Sequence, residues 1–102
     1  MSGVILQINF KFNISPAELA EGFAPLAEPI AQVPGLRWKI WSLSGAESEF
    51  AGIYLFDDAE SAQAYLEGPI IAQVSKHPAL SDIVAKQFDV IDGFTAITRG
   101  PV

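Results

Sequence analysis

From Gly3 to Asn13 the side chains alternate. Val4, Leu6, Ile8, Phe10 and Phe12 fall on one side, and Ile5, Gln7, Asn9, Lys11 and Asn13 on the other. A period of two reads as a strand. The period then lengthens. Ser15 followed by Pro16 and Glu18 is a capping-box start with proline at the first helical position. Leu19, Phe23, Leu26, Ile30 and Val33 recur after it at helical spacing. Pro25 and Pro29 lie inside that run and each removes a backbone donor, so the helix is expected to be kinked or interrupted. Pro34-Gly35 makes a turn into a strand from Leu36 to about Leu43. The polar "SGAESE" turns the chain, and Phe50 to Asp57 is a third strand rich in aromatic and β-branched residues. A helix starts at Asp57 or Asp58 with acidic residues in its first turn, and Gly68-Pro69 breaks it. "IIAQVSKH" reads as a second helical piece ending at His77-Pro78, "DIVAKQFDVID" as a last strand, and "GFTAITRGPV" as a tail with some strand character.

The order β-α-β-β-α-β is that of an α+β fold, the ferredoxin-like split βαβ unit. It predicts an antiparallel four-stranded sheet with helices on one face, in one domain spanning residues 1–102. The first two strands are largely apolar on both sides, whereas a sheet face open to water carries polar residues along it. A homodimer packed sheet against sheet is therefore expected. The apolar "FTAIT" suggests a tail that crosses to the partner.

Composition narrows the chemistry. The chain has 102 residues, with 12 acidic and 6 basic side chains for a net charge of -6. That balance argues against nucleic acid and anionic membrane surfaces as partners. There is no cysteine, so disulfides and thiolate catalysis are excluded, and a single histidine, His77, cannot build a histidine-rich metal site. No apolar run reaches the ~20 residues of a membrane span. The start of the chain lacks the basic and small-residue features of a leader, so the expected location is cytoplasmic. Neither G-x-G-x-x-G nor G-x-x-x-x-G-K occurs, and no cofactor or metal is expected.

Four stretches carry a resemblance: "LQINFKFN", "GLRWKIW", "AGIYLFDDAESAQAYLE" and "VAKQFDV". Together they resemble the YdhR-like monooxygenase family of the dimeric α+β barrel superfamily, from about Leu6 to Val90, most specifically in the "GIYLF…AYLE" block. "GPII" stands where the family carries a His-Thr pair, and Asn9 where it can carry histidine. The resemblance implies a dimeric α+β barrel and a monooxygenase. With no cysteine, histidine cluster or nucleotide loop, the substrate itself is left as the electron source. The expected activity is cofactor-independent oxygenation of a small hydroxylated aromatic or quinol-like compound. Two alternatives stand beside it: a non-catalytic dimer that binds a small apolar or aromatic molecule, and a lactone or polyketide isomerase-cyclase.

Such chemistry needs a dry pocket, donors for an anion and a group to take a proton. Asn9, mid-strand, is the candidate donor to a developing oxyanion, with Gln7 beside it; a solvated strand face is the plainer alternative. Tyr54 and Tyr65 are the phenols available for acid work, although Tyr65 also suits a core position with its hydroxyl at the surface. Trp41 and Lys39 share a strand face with Arg37 and are placed at the pocket with Phe23, while a lysine more often runs out to water. Trp38, with Leu36 and Ile40 on the other face, is placed in the dimer core, where its indole needs an acceptor. Lys86 matches the family stretch and equally suits an edge salt bridge. His77 precedes a proline in a loop and reads as solvated, and Asp57, Asp58 and Glu60 read as helix N-terminal charges.

Overall fold

The structure is a computed structural model that describes residues 3–102; Met1 and Ser2, the first residues of the segment read for a leader, lie outside it. The alternation at the start becomes β1 (Val4–Phe12), and its even-numbered side chains are all buried. Helix α1 (Pro16–Phe23) begins as its sequence requires. The Glu18 amide donates to Ser15 Oγ and the Ser15 amide to Glu18 Oε1, each at 3.1 Å. Two of the four donors a helix start leaves over are thereby satisfied.

The prolines interrupt the run as expected. Pro25 lies in a single 3-10 turn, Ala24–Leu26, and Pro29 is the third residue of α2 (Ala27–Ala31), where a missing donor costs least. Strand β2 (Leu36–Ser44) turns into β3 (Glu49–Phe56). Asp58 then caps α3 (Ala59–Leu66), its carboxylate accepting from the Ser61 amide at 2.8 Å. Helix α4 (Pro69–Ser75) follows the Gly68-Pro69 break, and β4 (Leu80–Asp89) completes the sheet.

The sheet order is β2-β3-β1-β4, with every neighbouring pair antiparallel. This is the ferredoxin-like α+β arrangement. The core lies between one sheet face and the helices, where Leu6, Ile8, Phe10, Phe12, Phe50, Tyr54 and Phe56 meet Leu19, Ile30, Ala62 and Tyr65. Each large side chain fully withdrawn from water there contributes about 1.5–3 kcal/mol.

Two expectations are corrected. The tail is not strand-like: Asp92–Ile97 form a short helix, α5. Its backbone closes locally, Thr95 and Thr98 donating to Ile91 and Phe94 carbonyls, so it needs no sheet partner. Leu36 does not share a face with Trp38. The register steps from Leu36↔Phe56 to Trp38↔Leu55, which leaves Arg37 as the extra residue of a bulge. Leu36 consequently packs on the helix-side core, and Arg37 reaches Asp57 at 2.6 Å.

Candidate active site

Beyond the bulge, β2 alternates regularly. Lys39, Trp41 and Leu43 pair with Tyr54, Gly52 and Phe50 and face the helices. Between them and α1 runs an apolar groove of about 420 Å³, walled by Leu19, Phe23 and Ala27 on the helical side and by Trp41, Leu43 and Phe50 on the sheet. Phe23 tilts against Trp41 at 5.7 Å and against Phe50 at 5.1 Å between ring centroids. The same three rings also line a small inner chamber of about 20 Å³, closed on its other sides by Lys39, Tyr54, Tyr65, Ile30 and Val74. An aromatic wall thus separates a groove large enough for a small flat molecule from a chamber with room for little more than a water.

Three polar side chains meet in that chamber. Lys39 does not run out to water. Its Nζ lies 3.4 Å from the centroid of Trp41 and 4.6 Å from that of Tyr54. Among the described residues it has no hydrogen-bond acceptor and no carboxylate. Ring faces attract the ammonium, yet burial disfavours its charge and pushes the amine down to about 7. Tyr54 and Tyr65 share a hydrogen bond of 2.9 Å between hydroxyls. Burial drives both phenols upward, Tyr54 further because Tyr65 adds charge repulsion and takes up its hydroxyl. Both are neutral donors through the physiological range, and Tyr65, whose charged form Tyr54 can donate to, ionises first.

Sequence reasoning missed Gly52. A Cβ there would meet Tyr54 Cε1 at 3.2 Å and Lys39 Cε and Phe50 Cε2 at 3.3 Å. The lysine stem crosses the sheet over this bare backbone. The signal was present in "FAGIYLF", since glycine inside a strand pattern marks a close approach.

The candidate residues therefore divide. Phe23, Lys39, Trp41, Tyr54 and Tyr65 come together on the helix side. Gln7, Asn9 and Lys86 do not join them; they line a cleft on the opposite sheet face with Glu49, Val84 and Phe88. The parity of β1 enforces this, because its odd residues cannot reach a chamber that its even residues floor. Asn9 Nδ2 donates to Glu49 Oε2 at 3.0 Å while its carbonyl accepts from Gln7 Nε2 at 3.1 Å, and Lys11 pairs with the same carboxylate. These bonds hold the Glu49 carboxyl below its ordinary range, Asn9 contributing most. His77 is exposed, and its Nδ1 accepts from the Ala79 amide at 3.1 Å, closing the loop before β4. Trp38 finds its acceptor in its own chain, the Pro101 carbonyl at 2.8 Å.

Comparison with known proteins agrees with this architecture. The family model described as "Putative mono-oxygenase ydhR" matches residues 5–101, and the chain belongs to that family. No curated protein matches the chain. Among solved structures, SnoaB, a cofactor-independent oxygenase from Streptomyces nogalater, superposes with a TM-score of 0.72 at 20% identity, covering 90% of this chain and 96% of that one. The ActVA-Orf6 monooxygenase of Streptomyces coelicolor, in complex with nanaomycin D, gives 0.68 at 16% identity, covering 87% and 88%. The heme-degrader MhuD of Mycobacterium tuberculosis, with two hemes in its active site, gives 0.65 at 23% identity, covering 85% and 95%. At these identities the likeness is one of fold.

Proposed function

We propose that the groove and chamber form the active site of a cofactor-independent monooxygenase acting on a small hydroxylated aromatic or quinol-like compound. The observation that carries this reading is the Lys39 amine, unpaired and turned inward among aromatic faces. A flat phenol lies in the groove against Trp41, its hydroxyl directed past the aromatic wall. The neutral amine takes the phenolic proton, a task suited to a base poised near neutrality. The resulting phenolate gives up two electrons, one at a time, to dioxygen, and a bond forms between a ring carbon and oxygen. The Lys39 ammonium returns its proton to the terminal peroxide oxygen. Loss of the ring hydrogen as a proton then expels the hydroperoxide's outer oxygen as water and leaves a quinone. One phenol and one dioxygen give one quinone and one water, with every electron drawn from the substrate. The Tyr54–Tyr65 pair supplies the neutral donor for the developing oxyanion.

SnoaB and ActVA-Orf6, which share the fold, are an oxygenase and a monooxygenase and support the assignment of class. The test is a thermal-shift screen of phenols, quinols and lactones, followed by oxygen-electrode assays on the hits. One dioxygen consumed per quinone formed is expected, and Lys39→Met should lower turnover roughly 100-fold or more. A thermal shift without oxygen uptake would make the protein a binder, and a product of unchanged mass an isomerase. Undiminished turnover in folded Lys39→Met would remove Lys39 from the chemistry.

We also propose that the chain works as a homodimer through the sheet face turned away from the helices. Ile40 and Phe88 are about half exposed there, beside Ile53 and Ile5 respectively, an apolar surface of the kind that marks an interface, with Val84 set apart from it by Asn9 and Lys86.

A further inference from the structure

The inner chamber holds an unusual set of groups. Its titratable side chains are Lys39, Tyr54 and Tyr65. No carboxylate lines it, so nothing there stabilises a permanent ammonium by pairing. The two phenols carry two hydroxyl protons, of which their mutual bond uses one, and neither hydroxyl has another partner among the described residues. The same chamber therefore presents an amine without an acceptor and a hydroxyl proton without a destination. Amines desolvated in apolar pockets are the nucleophiles of carbonyl chemistry.

We propose that Lys39 condenses with the aldehyde or ketone of small aromatic carbonyl compounds that enter the groove and displace the Trp41 ring from its amine, and so catalyses exchange of the hydrogens next to their carbonyl. Nζ forms a bond to the carbonyl carbon, the carbonyl electron pair moves to oxygen, and one of the two Nζ protons passes to that oxygen. The tyrosine pair donates the further proton that lets this oxygen leave as water. The product is an iminium. Its positive nitrogen draws electrons from the neighbouring C–H bond, the hydrogen departs to water, and an enamine results. Addition of a proton and then of water runs the sequence backwards and returns the carbonyl compound. Nothing is oxidised or reduced, and in heavy water the net change is replacement of hydrogen by deuterium.

This inference rests on the reading of the groove as a ligand site but requires neither dioxygen nor its consumption. The folded protein is incubated at pH 7 with 4-hydroxybenzaldehyde and sodium cyanoborohydride, which reduces any iminium to a stable amine, and is then mapped by peptide mass. Lys39 should carry at least about tenfold more adduct than Lys11, Lys76 or Lys86, since an ordinary lysine is neutral in only about one molecule in a few thousand at that pH. The chain's α-amine serves as internal reference, and the preference for Lys39 should vanish in guanidinium. A second measurement follows deuterium entering 4-hydroxyphenylacetone in heavy water, expected to be roughly tenfold slower with Lys39→Arg, which keeps the charge but forms no iminium. Equal labelling of the four lysines, no adduct at Lys39, or exchange unaffected by Lys39→Arg in a variant whose circular dichroism is native, would overturn the proposal. Oxygen uptake by a quinol with no Lys39 adduct would sink this inference alone; an adduct without oxygen uptake would sink the oxygenase reading alone.

Discussion

Lys39 is held in a place where its charge is a burden. Its amine is pushed down to about 7 from an ordinary value of 10.5, the change arising from burial. In the unfolded chain it is exposed and stays protonated up to about its ordinary value. Between these two values the unfolded state binds the extra proton, so stability must rise with pH across that window. Below it both states are charged and the burial penalty is felt in full. Tyr54 and Tyr65, the other titratable groups of the chamber, act oppositely. Raised above the ordinary phenol range, they withdraw stability once the unfolded phenols begin to ionise near pH 10. Thermal denaturation should therefore show a maximum around pH 9–10. Lys39→Met should flatten the rise from pH 7 and be more stable than the parent at pH 7 by about 1–3 kcal/mol, the scale of an unpaired buried polar group. Catalysis should run the other way at this position: kcat/KM climbs through pH 7 as the amine loses its proton, and Lys39→Met abolishes the climb. The sequence placed Lys39 and Trp41 on one strand face correctly. That the lysine turns inward was signalled only by Gly52, two strand positions before Tyr54, and a glycine in a strand marks a close approach without saying which side chain makes it.

At the level of elements, every strand and helix before the tail was legible, although the last strand runs Leu80–Asp89 and so starts and ends earlier than "DIVAKQFDVID", and the exceptions are instructive. Ser15, Pro16 and Glu18 announce α1 because capping is local chemistry. Pro25 and Pro29 announce its interruption for the same reason. The bulge at Arg37 has no such signature. It is recognised only from the partner strand, where Leu36 and Trp38 oppose the adjacent residues Phe56 and Leu55. The tail deceived because "FTAIT" alternates over too few residues to separate a strand from one helical turn and a half. Gly52 gives the element-scale prediction. A Cβ there already meets three neighbours within 3.3 Å, and Gly52→Val adds two methyl groups directed at the lysine stem. That substitution should displace Lys39, lower turnover at least roughly tenfold and cost about 1–3 kcal/mol by overpacking. Calorimetry and oxygen uptake would check the two effects separately, and normal values of both would show that the strand yields more readily than its packing implies.

For the whole molecule the central fact is division of labour between sheet faces. The sequence showed polar residues on the odd side of β1 but not which side the ligand would use. Gln7, Asn9 and Lys86 group with the aromatic residues in the sequence because a polar strand face and a polar pocket look alike in one dimension. In three dimensions they belong with Glu49 and the half-exposed Ile40, Val84 and Phe88. If that face joins two copies, a charge at its apolar part must be costly, because it would be taken out of water beside Ile5. Phe88→Glu should convert a dimer at micromolar concentration into a monomer in sedimentation velocity. A parent that already sediments as a monomer would end the dimer proposal.

The two tryptophans make this division directly observable. Trp38 lies on one sheet face, its indole bonded to Pro101, and Trp41 on the other, under the Lys39 ammonium and over a third exposed. Each is therefore an optical reporter for one surface. With Trp38→Phe, the remaining emission comes from Trp41 and should change when a ligand fills the groove, while remaining indifferent to dilution. With Trp41→Phe, the emission comes from Trp38 and should shift to the red on dilution through the dissociation range of the proposed dimer, while ignoring the ligand. A ligand that moved both signals together would mean that the two faces communicate across a sheet only one backbone layer thick.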